Sequence, residues 1–188
     1  MRAITYPLIV LLIAALVVLA TNSEASEYIT NMERVPAIER QPPRIASWKY
    51  TPTVVVCDFA PVVESEVNRA VQYWKNKGFR FYKTNFKQDH LKKCTDPSPE
   101  GRIIIRLATK EVLENMKESS LAETHFYVDN DLNKIDWAII YLPRRGPQIR
   151  VLEHELGHAL GFLHYNKKGH LMHEKWIQGG WDDDGLHR

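Results

Sequence analysis

The period of the hydrophobic positions changes along this chain, and each change marks an element. Residues 26 to 47 are polar, carry Pro36, Pro42 and Pro43 and hold no sustained period, which predicts a linker or short leader. Val54, Val55 and Val56 then form a β-branched run ending at Cys57 and Asp58, the pattern of a buried strand. Beyond Pro61, Val67, Val71 and Trp74 recur at helical spacing and Gly78 punctuates the end, so one amphipathic helix follows. Phe79 to Phe86 alternates, as does Arg102 to Leu107 with Ile103, Ile105 and Leu107 on one face; both predict strands. Lys110 to Lys117 predicts a short helix, Thr124 to Val128 a strand, Asn130 to Asn133 a turn and Trp137 to Leu142 a buried strand, the last two strands forming a hairpin. A last helical pattern opens at Gly146 and Pro147, with Ile149, Leu152, Leu156 and Leu160 on its apolar side. The order strand, helix, several strands, helix predicts an α/β (α+β) fold, a twisted mixed sheet covered by helices.

Length and charge narrow this picture. With 188 residues the chain holds one domain with a sizeable core, and a net charge of +2 from 25 basic and 23 acidic residues, interspersed, argues against a nucleic-acid partner. The N-terminal segment differs in kind: after Arg2 no charge occurs before Glu24, and Tyr6 to Ala20 is almost wholly apolar. Residues 1–25 therefore read as a secretory signal peptide, cleaved after Ala20 or Ala25, or as an uncleaved membrane anchor, since the uncharged stretch approaches the roughly 20 residues a bilayer core requires. Either way the remainder is exported, secreted or extracytoplasmic, with the membrane touched only through the anchor. That leaves 26–47 as linker and 48–188 as the folded domain, expected to be a monomer. In an oxidising compartment Cys57 and Cys94 are expected to pair as a disulfide; two separate buried thiols are the alternative.

The chemistry lies on the last helix. His154 and His158 are four residues apart, which on a helix offsets them by only about 40°, so both imidazoles reach one metal ion, with Glu155 beside them. Two histidines on a solvated helical face need no metal. Here, however, the run continues through Gly161, a residue able to adopt positive φ and end the helix abruptly, to His164, a third ligand. The string HELGHALGFLH resembles the metzincin zinc signature HExxHxxGxxH, and Met172, eight residues after His164, is similar to the Met-turn beneath the metal in that family, at a spacing like that of matrixins. More loosely, Trp74 to Phe81 resembles the backing helix and next strand of matrixin-like domains, and Leu121 to Phe126 their edge strand. The resemblance spans roughly residues 45 to 175 and is specific only in 154 to 172.

The resemblance implies a metzincin-like domain with a backing helix, an active-site helix and a small C-terminal subdomain after Gly161. It implies one catalytic Zn2+ on His154, His158 and His164, with Glu155 as general base, and extended peptide substrate paired along Thr124, His125 and Phe126. The expected activity is hydrolysis of internal peptide bonds. A zinc-containing, non-catalytic peptide-binding module of an exported or particle-associated protein is the alternative, as is action on a non-protein amide. Glu174, the sole later glutamate, comes too soon to serve as the third ligand of the other zinc class. Several positions depart from the family: Tyr165 and Glu174 are not its subfamily markers, the proline after the Met-turn is absent, and no leader cysteine precedes the domain. For Ca2+ the sequence offers only the Asn130/Asp131 turn and Asp182 to Asp184, better read as solvated turn acids. His125, His170 and His173 are read as polar or supporting residues, and the segment after His173 as what should shape the specificity pocket, its Trp176 and Trp181 being read as cover for the core rather than as substrate contacts.

Overall fold

A computed structural model describes residues 41–88, 94, 100–117, 120–129 and 131–188; the expected targeting segment and residues 26–40 of the expected linker lie outside these, as does Asn130. Six strands form one sheet: β1 (Ser47–Trp48), β2 (Thr53–Cys57), β3 (Thr84–Gln88), β4 (Arg102–Leu107), β5 (Glu123–Asp129) and β6 (Lys134–Leu142). Among the described residues three helices accompany them, α1 (Glu64–Asn76), α2 (Lys110–Asn115) and α3 (Val151–Ala159), with a 3-10 turn at Trp176–Gln178. The expected mixed α/β architecture holds, and the sheet is mostly parallel. β3 pairs β2, β2 pairs β4 and β4 pairs β6, all in parallel, whereas β5 is antiparallel to β6 and forms the far edge. With one side of β6 taken by β5, β1 joins its other side at Lys134 and Ile135, just ahead of β4.

Valine and isoleucine runs make the inner strands because both faces are covered. On one face Val54, Val56, Ile103, Ile105 and Ile140 pack with α1 and α3; on the other Val55, Cys57, Ile104, Ile139 and Tyr141 form a smaller cluster with Ala108 and Val112. A β-bulge where Tyr127 opposes Trp137 but Val128 opposes Ile135 shifts the alternation by one, so Ile135 and Ala138 share the first face. Cys57 and Cys94 are joined by a disulfide at the edge of the second cluster, across a sequence separation of 37.

Helix α1 starts with the Val63 N–H donated to the Glu66 carboxylate at 3.0 Å and ends in a Schellman motif, where Gly78 at φ +88 lets Phe79 N–H reach the Trp74 carbonyl at 3.1 Å. It is clamped to α3 through the Trp74 indole N–H on the Glu153 carbonyl (2.8 Å) and Arg69 on the wholly buried Glu153 carboxylate (2.7 Å).

Three expectations shift. The strand read from Phe79 begins only at Thr84, because Phe79 and Phe81 are both drawn into the core under α1 before pairing with β2 starts. The last helix starts at Val151 rather than at Gly146, since Arg150 at φ 71 breaks the helical path; Ile149 is accordingly exposed. The folded unit also extends ahead of residue 48: Ala46 is buried, and Ile45 N–H donates to the Gly161 carbonyl at 3.0 Å. After Gly161 the chain packs as turns and short bridges beneath α3, with Leu171, Met172 and Leu186 buried.

Candidate metal centre

Helix α3 presents His154 and His158 one turn apart on the same side, and its end supplies the third imidazole. Gly161 adopts φ +94, Gly161 N–H reaches the His158 carbonyl at 2.8 Å and Phe162 N–H the Gly157 carbonyl at 3.0 Å, a second Schellman motif that reverses the chain. A Cβ at this glycine would lie 2.4 Å from the Ala46 carbonyl oxygen, so no larger residue fits. The reversal brings His164 back: its Nε2 lies 3.1 Å from that of His158, whose Nε2 is 3.0 Å from that of His154. These three form the one group among the described residues that could hold a metal ion, and Glu174 is not part of it.

Two of the rings are fixed from behind. His154 Nδ1 faces the Leu171 carbonyl at 2.7 Å and His158 Nδ1 the Phe162 carbonyl at 2.8 Å. A carbonyl only accepts, so each Nδ1 carries the proton and each Nε2 turns a bare lone pair inward. Burial holds His154 down at about 3, helped by the neighbouring His164, and drives His158 well below its ordinary value. Neutral lone pairs set against one another at such distances repel unless a cation sits between them. Tetrahedral ligands about 2.0–2.1 Å from a zinc ion would stand about 3.3 Å apart, close to the separations here, so the donor set fits such a metal.

Met172 is fully buried beneath the helix, and a Cβ added to Gly157, which lies in the chain between His154 and His158, would meet its Sδ at 2.5 Å. Its turn is pinned by His170, which accepts the Met172 N–H on Nδ1 (3.0 Å) and donates from Nε2 to the Asp184 carbonyl (3.1 Å). Tyr165 lies edge-on to His170 at 4.9 Å and donates its N–H to the Met172 carbonyl, so the residue after the third histidine braces the Met turn. His173 accepts the Lys175 N–H on Nδ1 at 2.9 Å and lines the cavity.

Glu155 is buried and opens onto the same cavity, of about 1080 Å³, as the three histidines. Burial raises its carboxyl to about 7 and the Glu123 charge pushes it the same way, while a hydrogen bond from Thr124 opposes them. Thr124 Oγ1 lies 2.5 Å from Glu155 Oε2. That contact adds side-chain directions to the reading of the edge strand. Of the three residues expected to bind substrate, Thr124 points its side chain at Glu155, Phe126 is buried in the main core, and His125 turns to the opposite face, against Glu123 (2.5 Å) and Tyr141. What β5 offers a ligand is its backbone, since β6 is its sole strand partner among the described residues. The alternation Glu-Thr-His-Phe contained the signal for this split but not which face looks at α3.

Of the calcium candidates, Asp182 to Asp184 are otherwise engaged: Lys167 pairs with Asp182 at 2.7 Å and Asp184 at 2.5 Å, and Asp183 pairs with Lys77; Asn130 of the other candidate lies outside the described residues. Trp176 lines the cavity, whereas Trp181 sits half exposed against Tyr73. Among the described residues no helix is long and apolar enough to cross a membrane. Comparison with protein-family models finds no match, and comparison with curated proteins finds none either.

Proposed function

We propose that this chain is a zinc-dependent endopeptidase of the metzincin kind, exported from the cell, that hydrolyses internal bonds of extended polypeptides. The observation that carries the reading is the convergence of three inward-facing Nε2 atoms and a buried carboxylate on one cavity. The abrupt Gly161 reversal and the packing of buried Met172 under Gly157 agree with the metzincin resemblance of the zinc sequence, and the Cys57–Cys94 disulfide agrees with export.

His154, His158 and His164 would hold the ion, all three neutral. Bound zinc supplies Lewis acidity at an open position, lowering the pKa of water toward 7 and polarising a peptide carbonyl. Glu155 takes the proton of the attacking water on a carboxylate oxygen and delivers it to the departing amine, so no covalent enzyme intermediate forms. Thr124 occupies Oε2, which leaves Oε1 as the oxygen that carries the proton. The free edge of β5 aligns an extended substrate by backbone pairing.

The test is to incubate the zinc-loaded chain and its Glu155→Ala variant with a diverse peptide library and to read products by mass spectrometry. Cleavage that disappears in the variant while its zinc content stays at one ion per chain supports the peptidase. Absence of cleavage by both proteins, with zinc retained, refutes it and leaves a binding module.

A further inference from the structure

The cavity extends well past the histidines, running between Leu121 and Ala122 just before β5, Arg150 and Val151 where α3 begins, and the segment from Glu174 to Gly179. Its charges are lopsided: Lys117, Arg150 and Lys175 line it against Glu174, Glu155 being engaged by Thr124. Among the described residues none of these three cations has a carboxylate within ion-pair distance.

Arg150 is held in place rather than left to wave. Its guanidinium stacks over the Trp176 ring at 5.1 Å and donates from Nη2 to the Trp176 carbonyl at 3.4 Å, and the Trp176 indole N–H is tied to the Ile149 carbonyl at 3.1 Å. Its backbone sits at φ 71, a left-handed conformation that a long side chain adopts only where its surroundings enforce it. A guanidinium has five N–H donors, and most of those on Arg150 remain for a guest. Beside the apolar Val151 and Leu121 walls, a planar carboxylate would find a fixed, partly desolvated partner.

On the peptidase reading proposed above, we infer that the part of this cavity beyond the histidines is a subsite for an acidic side chain, bound by Arg150 with Lys117 and Lys175 around it. The side of the cut follows from the sheet. Antiparallel pairing, the more stable kind, lays the C-terminal half of a substrate along the start of β5, just ahead of which Leu121 and Ala122 border the cavity. The residue that fills it is therefore the one after the cut, and the chain cleaves on the amino side of Asp or Glu.

Two measurements on the zinc-loaded full chain test this. The first profiles the residue after the cut in a peptide library, then compares kcat/KM for a peptide with Glu there and its Gln analogue. Wild type is expected to favour Glu by about tenfold or more; Arg150→Asn, which tolerates the left-handed backbone, should bring that ratio near one, and Arg150→Asp should turn the preference toward Lys and Arg. The second measures binding of the same two peptides to the inactive Glu155→Ala protein by calorimetry. Glu155-dependent cleavage with no acidic preference, or with the same preference in Arg150→Asn, overturns the subsite and leaves the peptidase intact. A wild type that cuts nothing, while the Glu155→Ala protein still binds the Glu peptide more tightly in an Arg150-dependent way, overturns the peptidase and keeps the subsite.

Discussion

Thr124 and Glu155 meet 31 positions apart in sequence, on an edge strand and a helix, and their contact orients a carboxylate that burial would otherwise leave free to turn. Thr124→Val keeps the shape and removes the hydroxyl, so kcat on a cleaved peptide should fall about tenfold with KM and zinc content little changed, while Thr124→Ser restores most of the loss. A KM effect without a kcat effect would place Thr124 on the substrate instead. At this scale the sequence was uneven as a guide. His154, His158, Glu155 and His164 were legible because helical spacing and one glycine settle their directions. Thr124 was noticed for backbone pairing with a substrate, and its side-chain contact with Glu155 was not legible, because strand alternation separates two faces without saying which of them looks at the helix. Arg150 carried no sequence signal at all, its left-handed backbone being imposed by the turn it closes.

The elements are held to one another by close approaches that leave no room for a Cβ. At Gly161 both the backbone conformation and the Ala46 carbonyl at 2.4 Å forbid a side chain, so Gly161→Ala should destabilise the fold by about 2–5 kcal/mol in denaturant unfolding, the combined cost of a strained φ and overpacking. Gly157→Ala is different: its obstacles are the Met172 and Trp74 side chains, which can shift, so a milder loss of about 1–3 kcal/mol is expected together with weaker retention of zinc in chelator competition. Equal effects at both positions would contradict this ranking. Element types came readily from the hydrophobic period, and their ends did so where a Schellman glycine stood, at Gly78 and Gly161. Starts were harder. The pattern ran back to Gly146 for α3 and Phe79 for β3, because residues leading into an element can share its periodicity without its backbone.

For the molecule as a whole, the strand order was not legible: parallel neighbours distant in sequence, such as β4 and β6, are chosen by packing that no local pattern records. The disulfide was legible from the compartment argument, and it ties β2 to a residue 37 positions later. Replacing Cys57 and Cys94 together by Ala should lower stability by about 3–4 kcal/mol, read as a reduced urea midpoint, while zinc stays bound because both cysteines lie on the sheet face away from α3. Loss of zinc from the otherwise folded double variant would show that the two faces are coupled.

The open side of β5 has one more consequence. Among the described residues β5 has a strand partner on one side only, so the amide and carbonyl groups of its other side, which on the proposed function take a guest strand, would equally take the same strand of another copy, and β5, whose exposed Tyr127 adds an apolar contact, carries no proline to discourage it. Crowding would then set the protein against itself. Two copies zipped edge to edge would each shut the other's cleft, so specific activity should decline as concentration rises and recover on dilution, with sedimentation following the same course.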